Sequence, residues 1–245
     1  SFALLTDRYM TDYGASRADF GHICVAQREN ALRNPNAVMK KPLSMEQYLA
    51  ARPIAEPIAL FDCVMPCAGA EAFLVMSEDA ARARNLPYAR LSAAIERHNA
   101  HATDPIQLRG GWTMDVDVLW EQAGLGPGDM DLVQTYDDYP VISVMQIEDL
   151  GFCAKGEGAA FLRARDLTIA GDFPHNTSGG QLSAGQAGAA GGLIGMVEAI
   201  RQVTGQAGET QVRDARTALV SGFGMINFDR GLCSSAAVLS TGALA

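Results

Sequence analysis

An alternation of segment types narrows the fold of this chain more than any other feature. From residue 113 onward, short apolar runs take turns with stretches of helical period. Residues 113–123 put Val116, Leu119, Trp120 and Ala123 on one side of a helix, and Gly124-Leu125-Gly126-Pro127-Gly128 ends it. Residues 131–136 read as a strand and 141–150 as a helix. A further helix is expected over 187–203, with final strands at 218–222 and 233–239. Strand and helix in alternation define an α/β protein, with sheet layers covered by helices.

The first half is less regular. Residues 3–13 have helical spacing and stop at Gly14. Residues 16–32 form a second expected helix, with Ser16 as its N-cap and Asp19 in its first turn. Asn34-Pro35-Asn36 breaks that pattern. Pro42, Pro53 and Pro57 punctuate an irregular stretch holding one short helix at 45–51. Ala72-Phe73-Leu74-Val75-Met76 reads as a buried strand, 78–84 as a helix, and 91–100 as part strand and part loop.

Composition removes several classes of function. The 245 residues are 48% hydrophobic and 19% charged, which is globular rather than disordered. A net charge of −9 argues against nucleic-acid binding, which needs a basic face. No apolar run reaches the roughly 20 residues that span a bilayer. Asp7, Arg8 and Asp12 interrupt the place a secretory signal would need, and the start at Ser1 reads as a processed or truncated end. Five cysteines at irregular spacing are not a disulfide framework, and the lone Cys63/Cys67 pair is a poor zinc signal. A reducing, cytoplasmic setting fits this usage best.

Four stretches, in order, carry a family resemblance. They are RENALRNPN at 28–36 followed by Pro42-Leu43-Ser44, DCVMPCAGAEAFLV at 62–75, VQTYDDYPVISVMQIEDLGFCAKGEG at 133–158, and HNTSGGQLSAGQAGAAGG at 175–192. Together they resemble the thiolase superfamily, in its sterol-carrier and lipid-transfer branch. The resemblance implies a thiolase-like α/β fold of βαβαβαββ core domains. Residues 1–77 would be the family's loop region and the tail of its first core domain, and 78–245 its second core domain. The first core domain would be largely missing, and with it the nucleophilic cysteine, whose position none of the five cysteines matches.

The acid–base residues of an ordinary thiolase are also replaced. Gln186 stands where the family's Gly-His-Pro histidine would be, and a primary amide is no general base. Val220 stands where the second catalytic cysteine would be. Tyr136, in Tyr136-Asp137-Asp138-Tyr139, occupies the family's Asn or His loop position. A tyrosine there resembles the thiolase-like aldolases, which cleave β-hydroxyacyl-CoA thioesters. Such cleavage needs no acyl-enzyme cysteine, and a phenol would handle the hydroxyl proton if its pKa were lowered.

The resemblance therefore implies Tyr136, Asp137 and Gln186 as catalytic candidates. It implies His175, Asn176, Gly179, Gly180, Gly222 and Gly224 as residues that bind the substrate, with Gly222 to Gly224 supplying part of an oxyanion hole. Coenzyme A would enter as part of the substrate, with no covalently bound cofactor and no metal. A homodimer and a small OB-fold, zinc-ribbon subunit are the implied partners. Bland readings stand beside these. Asp137 and Asp138 would face opposite ways on a strand, so at most one enters a site, and Asp137 matches the family better. His175 in a loop is as easily structural. His22, His98 and His101 have no family counterpart. The glycines of 179–192 lack the spacing of a dinucleotide turn and suit close packing at a helix start.

Overall fold

Local signals set the first elements. The computed structural model describes residues 1–227 and 230–242. Helix α1 (Phe2–Tyr13) stops at Gly14, whose left-handed φ of 68° is open to glycine. Helix α2 (Arg17–Leu32) begins as the sequence predicts: the Asp19 carboxylate accepts from the Ser16 N–H at 2.7 Å and from its hydroxyl at 2.8 Å. A short α3 (Met45–Leu49) is capped by Ser44, and a ribbon of β1 (Pro53–Ala55) and β2 (Ile58–Ala59) follows. Helix α4 (Glu78–Ala83) is capped by Ser77.

The remainder builds one mixed sheet. Its strands are β3 (Ala89–His98), β4 (Leu132–Gln134), β5 (Thr217–Asn227) and β6 (Arg230–Thr241), in the order β3-β6-β5-β4. Only β4 and β5 run parallel, with Leu132 opposite Ala218 and Gln134 opposite Val220. A bridge from Val133 to His175 adds a further pairing outside β4.

Alternation along these strands sorts the core into two sides. Leu132, Ala218, Val220 and Leu239 pack with Ala199 and Val203 of α8 (Ile194–Val203). Val133, Leu219, Phe223 and Val238 face the larger cluster. That cluster draws on α5 (Trp112–Ala123), α6 (Pro140–Asp149), and α1 and α2 as well. The sheet is thus covered by helices on both faces, the layered thiolase-like α/β arrangement expected. The packing does not pause at residue 77, because Leu5, Tyr9, Phe20 and Ile23 share one core with Trp112 and Val141.

Helix α6 is buried along its whole length. Its polar residues are accordingly partnered. Glu148 accepts from the Tyr9 hydroxyl and from the N–H groups of Gly156 and Gly158, the latter beginning α7 (Gly158–Arg163). Lys155 bridges Glu148 at 2.9 Å and Asp149 at 2.6 Å. These contacts tie α1 to the sheet-covering layer.

Two expectations need correction. Residues 72–76 form no strand and are exposed, Leu74 at 83% and Val75 at 86%. An apolar run says that burial is favourable, not which surface supplies it, and no strand lies beside this one among the described residues. The helix expected over 187–203 is a 3-10 turn at Gly188–Leu193 followed by α8, because Gly188, Gly191 and Gly192 weaken the first turns. The expectation of part strand and part loop over 91–100 holds: β3 runs through His98, paired with β6 around a bulge between Leu91 and Ala93, and residues 99–100 turn away.

Candidate functional site

Beyond β4 the chain leaves the sheet, and residues 135–139 cross its end before α6. This crossing is held by its main chain. Gln146 of α6 accepts the Tyr136 N–H at 3.0 Å and donates to the Tyr136 carbonyl at 2.7 Å. The same amide oxygen accepts the Ser221 hydroxyl at 2.6 Å, and the Tyr136 N–H also reaches the Ser221 carbonyl at 3.1 Å. Asn176 does for Thr135 what Gln146 does for Tyr136: its amide accepts the Thr135 N–H at 2.8 Å and donates to its carbonyl at 3.1 Å.

A narrow polar cleft opens here. Tyr136, Asp137, Asn176, Gly180, Gln181 and Ser221 line it, with Gly191, Gly192 and Gly195 at the start of α8. Of the residues singled out in the sequence, Tyr136, Asp137, Asn176 and Gly180 meet at this cleft. Gly222 and Gly224 do not: they lie further along β5, opposite Ser235 and Cys233 of β6. Val220 is buried in the apolar cluster beneath α8.

The two aspartates do face opposite ways. Asp137 is buried at 1% exposure, and its oxygens accept the N–H groups of Gln181 at 2.9 Å and Leu182 at 3.3 Å. Burial pushes its carboxyl up to about 7 against the pull of those donors. Gly180 must be glycine for this contact: it has φ 58°, and a Cβ there would sit 2.2 Å from the Asp137 Oδ2. Gly179, at φ 103°, lets the turn press on α2, where a Cβ would come within 2.5 Å of the Ala31 Cβ.

Asp138 is the aspartate that faces Tyr136. The Tyr136 hydroxyl donates to the Asp138 Oδ2 at 2.8 Å, and the Gln186 amide approaches its Oδ1 at 3.5 Å. Burial raises the Asp138 carboxyl, and its bonds from Tyr136 and Gln186 oppose that. The tyrosine is displaced the other way from the lowering expected: burial, then the charge of Asp138, hold the phenol well above its usual value. Tyr136 is therefore a neutral hydrogen-bond donor, not a standing phenolate. Gln186 sits in an extended segment rather than a helix. Its N–H reaches the Met65 carbonyl at 2.9 Å, and its carbonyl accepts the Cys67 N–H at 3.0 Å.

His175 lies under the cleft, fully buried. Its Nε2 is 2.8 Å from the Thr135 hydroxyl, and burial pushes its pKa down to about 3. A neutral ring there supports the floor and does not reach the cleft. Sequence reasoning set Asp138 aside in favour of Asp137 and missed Gln146 and Gln181. Gln146 had a readable signal: it is an amide inside a helix otherwise apolar enough to be buried. Gln181 is 2% exposed, and its amide oxygen beside the cleft has no hydrogen-bond partner among the described residues.

Fold and site together define a thiolase-type core domain. The family described as thiolase C-terminal domain-like matches residues 98–239, and the chain belongs to it. Among similar proteins is the steroid side-chain-cleaving aldolase of Thermomonospora curvata, 34% identical over 83% of this chain and 53% of its own. The 17-hydroxy-3-oxo-4-pregnene-20-carboxyl-CoA lyase of Mycobacterium tuberculosis is 35% identical over 83% of this chain and 54% of its own. The solved Ltp2-ChsH2(DUF35) aldolase superposes with a TM-score of 0.81 at 30% identity, covering 99% of this chain and 63% of that one. The chain thus spans about half the length of the curated relatives it matches.

Proposed function

We propose that the protein containing this chain cleaves a carbon–carbon bond in a β-hydroxyacyl-CoA of the sterol side-chain or aromatic-acid type. The observation that carries this reading is the neutral phenol of Tyr136, hydrogen-bonded to Asp138 at the edge of the cleft. Its support from relatives is the pair of carbon–carbon-cleaving enzymes at 34% and 35% identity. In this retro-aldol step the β-hydroxyl loses its proton, and the carbonyl forms at the β-carbon. The Cα–Cβ electron pair moves into a thioester enolate, which is then protonated at carbon. Nothing in that sequence calls for a nucleophilic cysteine. It suits a site with Gln186 and Val220 where an ordinary thiolase has proton-transferring groups. Because Gly222 and Gly224 stand away from the cleft, we place the enolate oxygen near the glycines that open α8, where N–H groups favour negative charge.

The substrate's coenzyme A would be held by surfaces beyond this cleft. A homodimer and a small acyl-CoA-binding subunit remain our expectation, the latter supported by the two-component name of the solved aldolase. The test is turnover by the full-length protein with its small subunit. Ketone or aldehyde release from a β-hydroxyacyl-CoA, lost at least a hundredfold in Tyr136→Phe, is expected. Thiolysis of acetoacetyl-CoA without such release would instead favour acyl transfer, the activity named for a Methanothermobacter relative 31% identical to this chain. Acyl-CoA binding with neither reaction would leave a binding protein.

A further inference from the structure

We infer that Asp138 is the final acceptor of the substrate's β-hydroxyl proton, reached through Tyr136. The inference rests on the lyase reading above and adds a destination for the proton. The need is chemical. A phenol that keeps its own proton cannot take a second one, so it can accept from substrate only by giving its proton away in the same step. One group is placed to receive it: the Asp138 Oδ2, 2.8 Å from the Tyr136 oxygen.

The surroundings suit a relay better than a structural carboxylate. Asp137, its neighbour, is satisfied by two backbone N–H groups, as structural carboxylates commonly are. Among the described residues, Asp138 receives side-chain donors only, the phenol on one oxygen and the Gln186 amide near the other. The groups facing it are Tyr136, Gln186, the Asp137 carboxyl behind and the Tyr139 hydroxyl beside, with Cys63 further out against Tyr139. None of these is a cation that would lock it in its charged form. Gln186, pinned by the main chain of residues 65–67, steadies the far oxygen.

The balance is closed. The substrate O–H bond breaks as the Tyr136 oxygen takes that proton, and the Tyr136 O–H bond breaks as Asp138 takes the second. The Cα–Cβ pair becomes the enolate, which takes a proton at carbon from solvent. Asp138 ends protonated, Tyr136 ends as it began, and the proton leaves Asp138 to solvent before the next turnover. Asp138 never touches the substrate, so it is a positioning and relay residue.

The test uses the full-length protein with its partner subunit, assayed on a β-hydroxyacyl-CoA that the unaltered protein cleaves. Asp138→Asn should lower kcat about a hundredfold with KM within about threefold. In mixtures of light and heavy water, the unaltered enzyme should show the curved rate dependence of two protons in flight, and Asp138→Asn a straight line. Asp138→Glu, which keeps an acceptor, should recover at least tenfold of the loss. Unchanged kcat in Asp138→Asn, or equal losses in the Asn and Glu variants, would overturn the relay while leaving the lyase reading intact. Failure of the unaltered protein to cleave any β-hydroxyacyl-CoA would overturn both.

Discussion

The floor and the rim of the cleft both carry an aspartate and a side-chain amide but hold them in different ways. On the floor, Asp137, Asn176 and His175 are buried, and backbone groups meet Asp137 and Asn176. On the rim, Tyr136, Asp138 and Gln186 are only partly buried and meet one another through side chains. A polar group whose partners are main-chain atoms is part of the scaffold, because removing it orphans groups that have no alternative. A polar group whose partners are other rim side chains can change them during a reaction. The contrast predicts that floor substitutions cost stability and rim substitutions cost turnover.

The sharpest way to break this division is Gly180→Ala. The new Cβ would meet Asp137 at 2.2 Å from a backbone at φ 58°, and strain plus overpacking should cost about 4 kcal/mol, read as a drop in denaturant midpoint. Next comes pH. The Asp137 carboxyl is raised from 3.8 to about 7, so the folded state holds its proton more tightly than the unfolded chain. Stability should therefore be greatest below the unfolded value and decline as pH rises from about 4 to 7. The loss should be on the order of 4 kcal/mol. Asp149, raised to about 6, contributes to the same slope. Asp137→Asn should flatten the slope but not abolish it.

Asn176→Ala is a smaller case. It orphans the Thr135 N–H and carbonyl, for about 2 kcal/mol. If it instead left stability untouched while abolishing turnover, the floor would have to be reassigned to the reaction. The smallest expected effect is on the rim: Tyr136→Phe should change stability by less than about 1 kcal/mol, because Gln146 holds the tyrosine's backbone and not its ring. A larger loss would make the phenol a structural tether.

Much of the fold could be read directly. Ser16 and Asp19 announced the start of α2, Gly14 the end of α1, and the period of residues 113–123 the helix α5. Phe73 to Met76 misled because apolarity carries no address. The site was half legible. Tyr136 and Gln186 stood out as replacements in a familiar pattern, and the parity of a strand separated Asp137 from Asp138. Which of the two would face the tyrosine depends on how the chain leaves β4, and on the Gly180 turn that captures Asp137 from 43 positions later in the chain. No local pattern encodes that meeting. The displacement of the phenol's pKa was likewise invisible, since burial and a neighbouring charge exist only after folding.

The clamp by Gln146 has a consequence for how such a site can be changed. Because it grips the peptide groups at position 136 and leaves the side chain out, that position works as a socket. The plug can be exchanged while the fitting stays where it is. A histidine, asparagine or glutamate installed at residue 136 would present its functional atom from nearly the same point over the same cleft. A chemist wishing to retool the reaction would begin there, and would leave Gln146 alone.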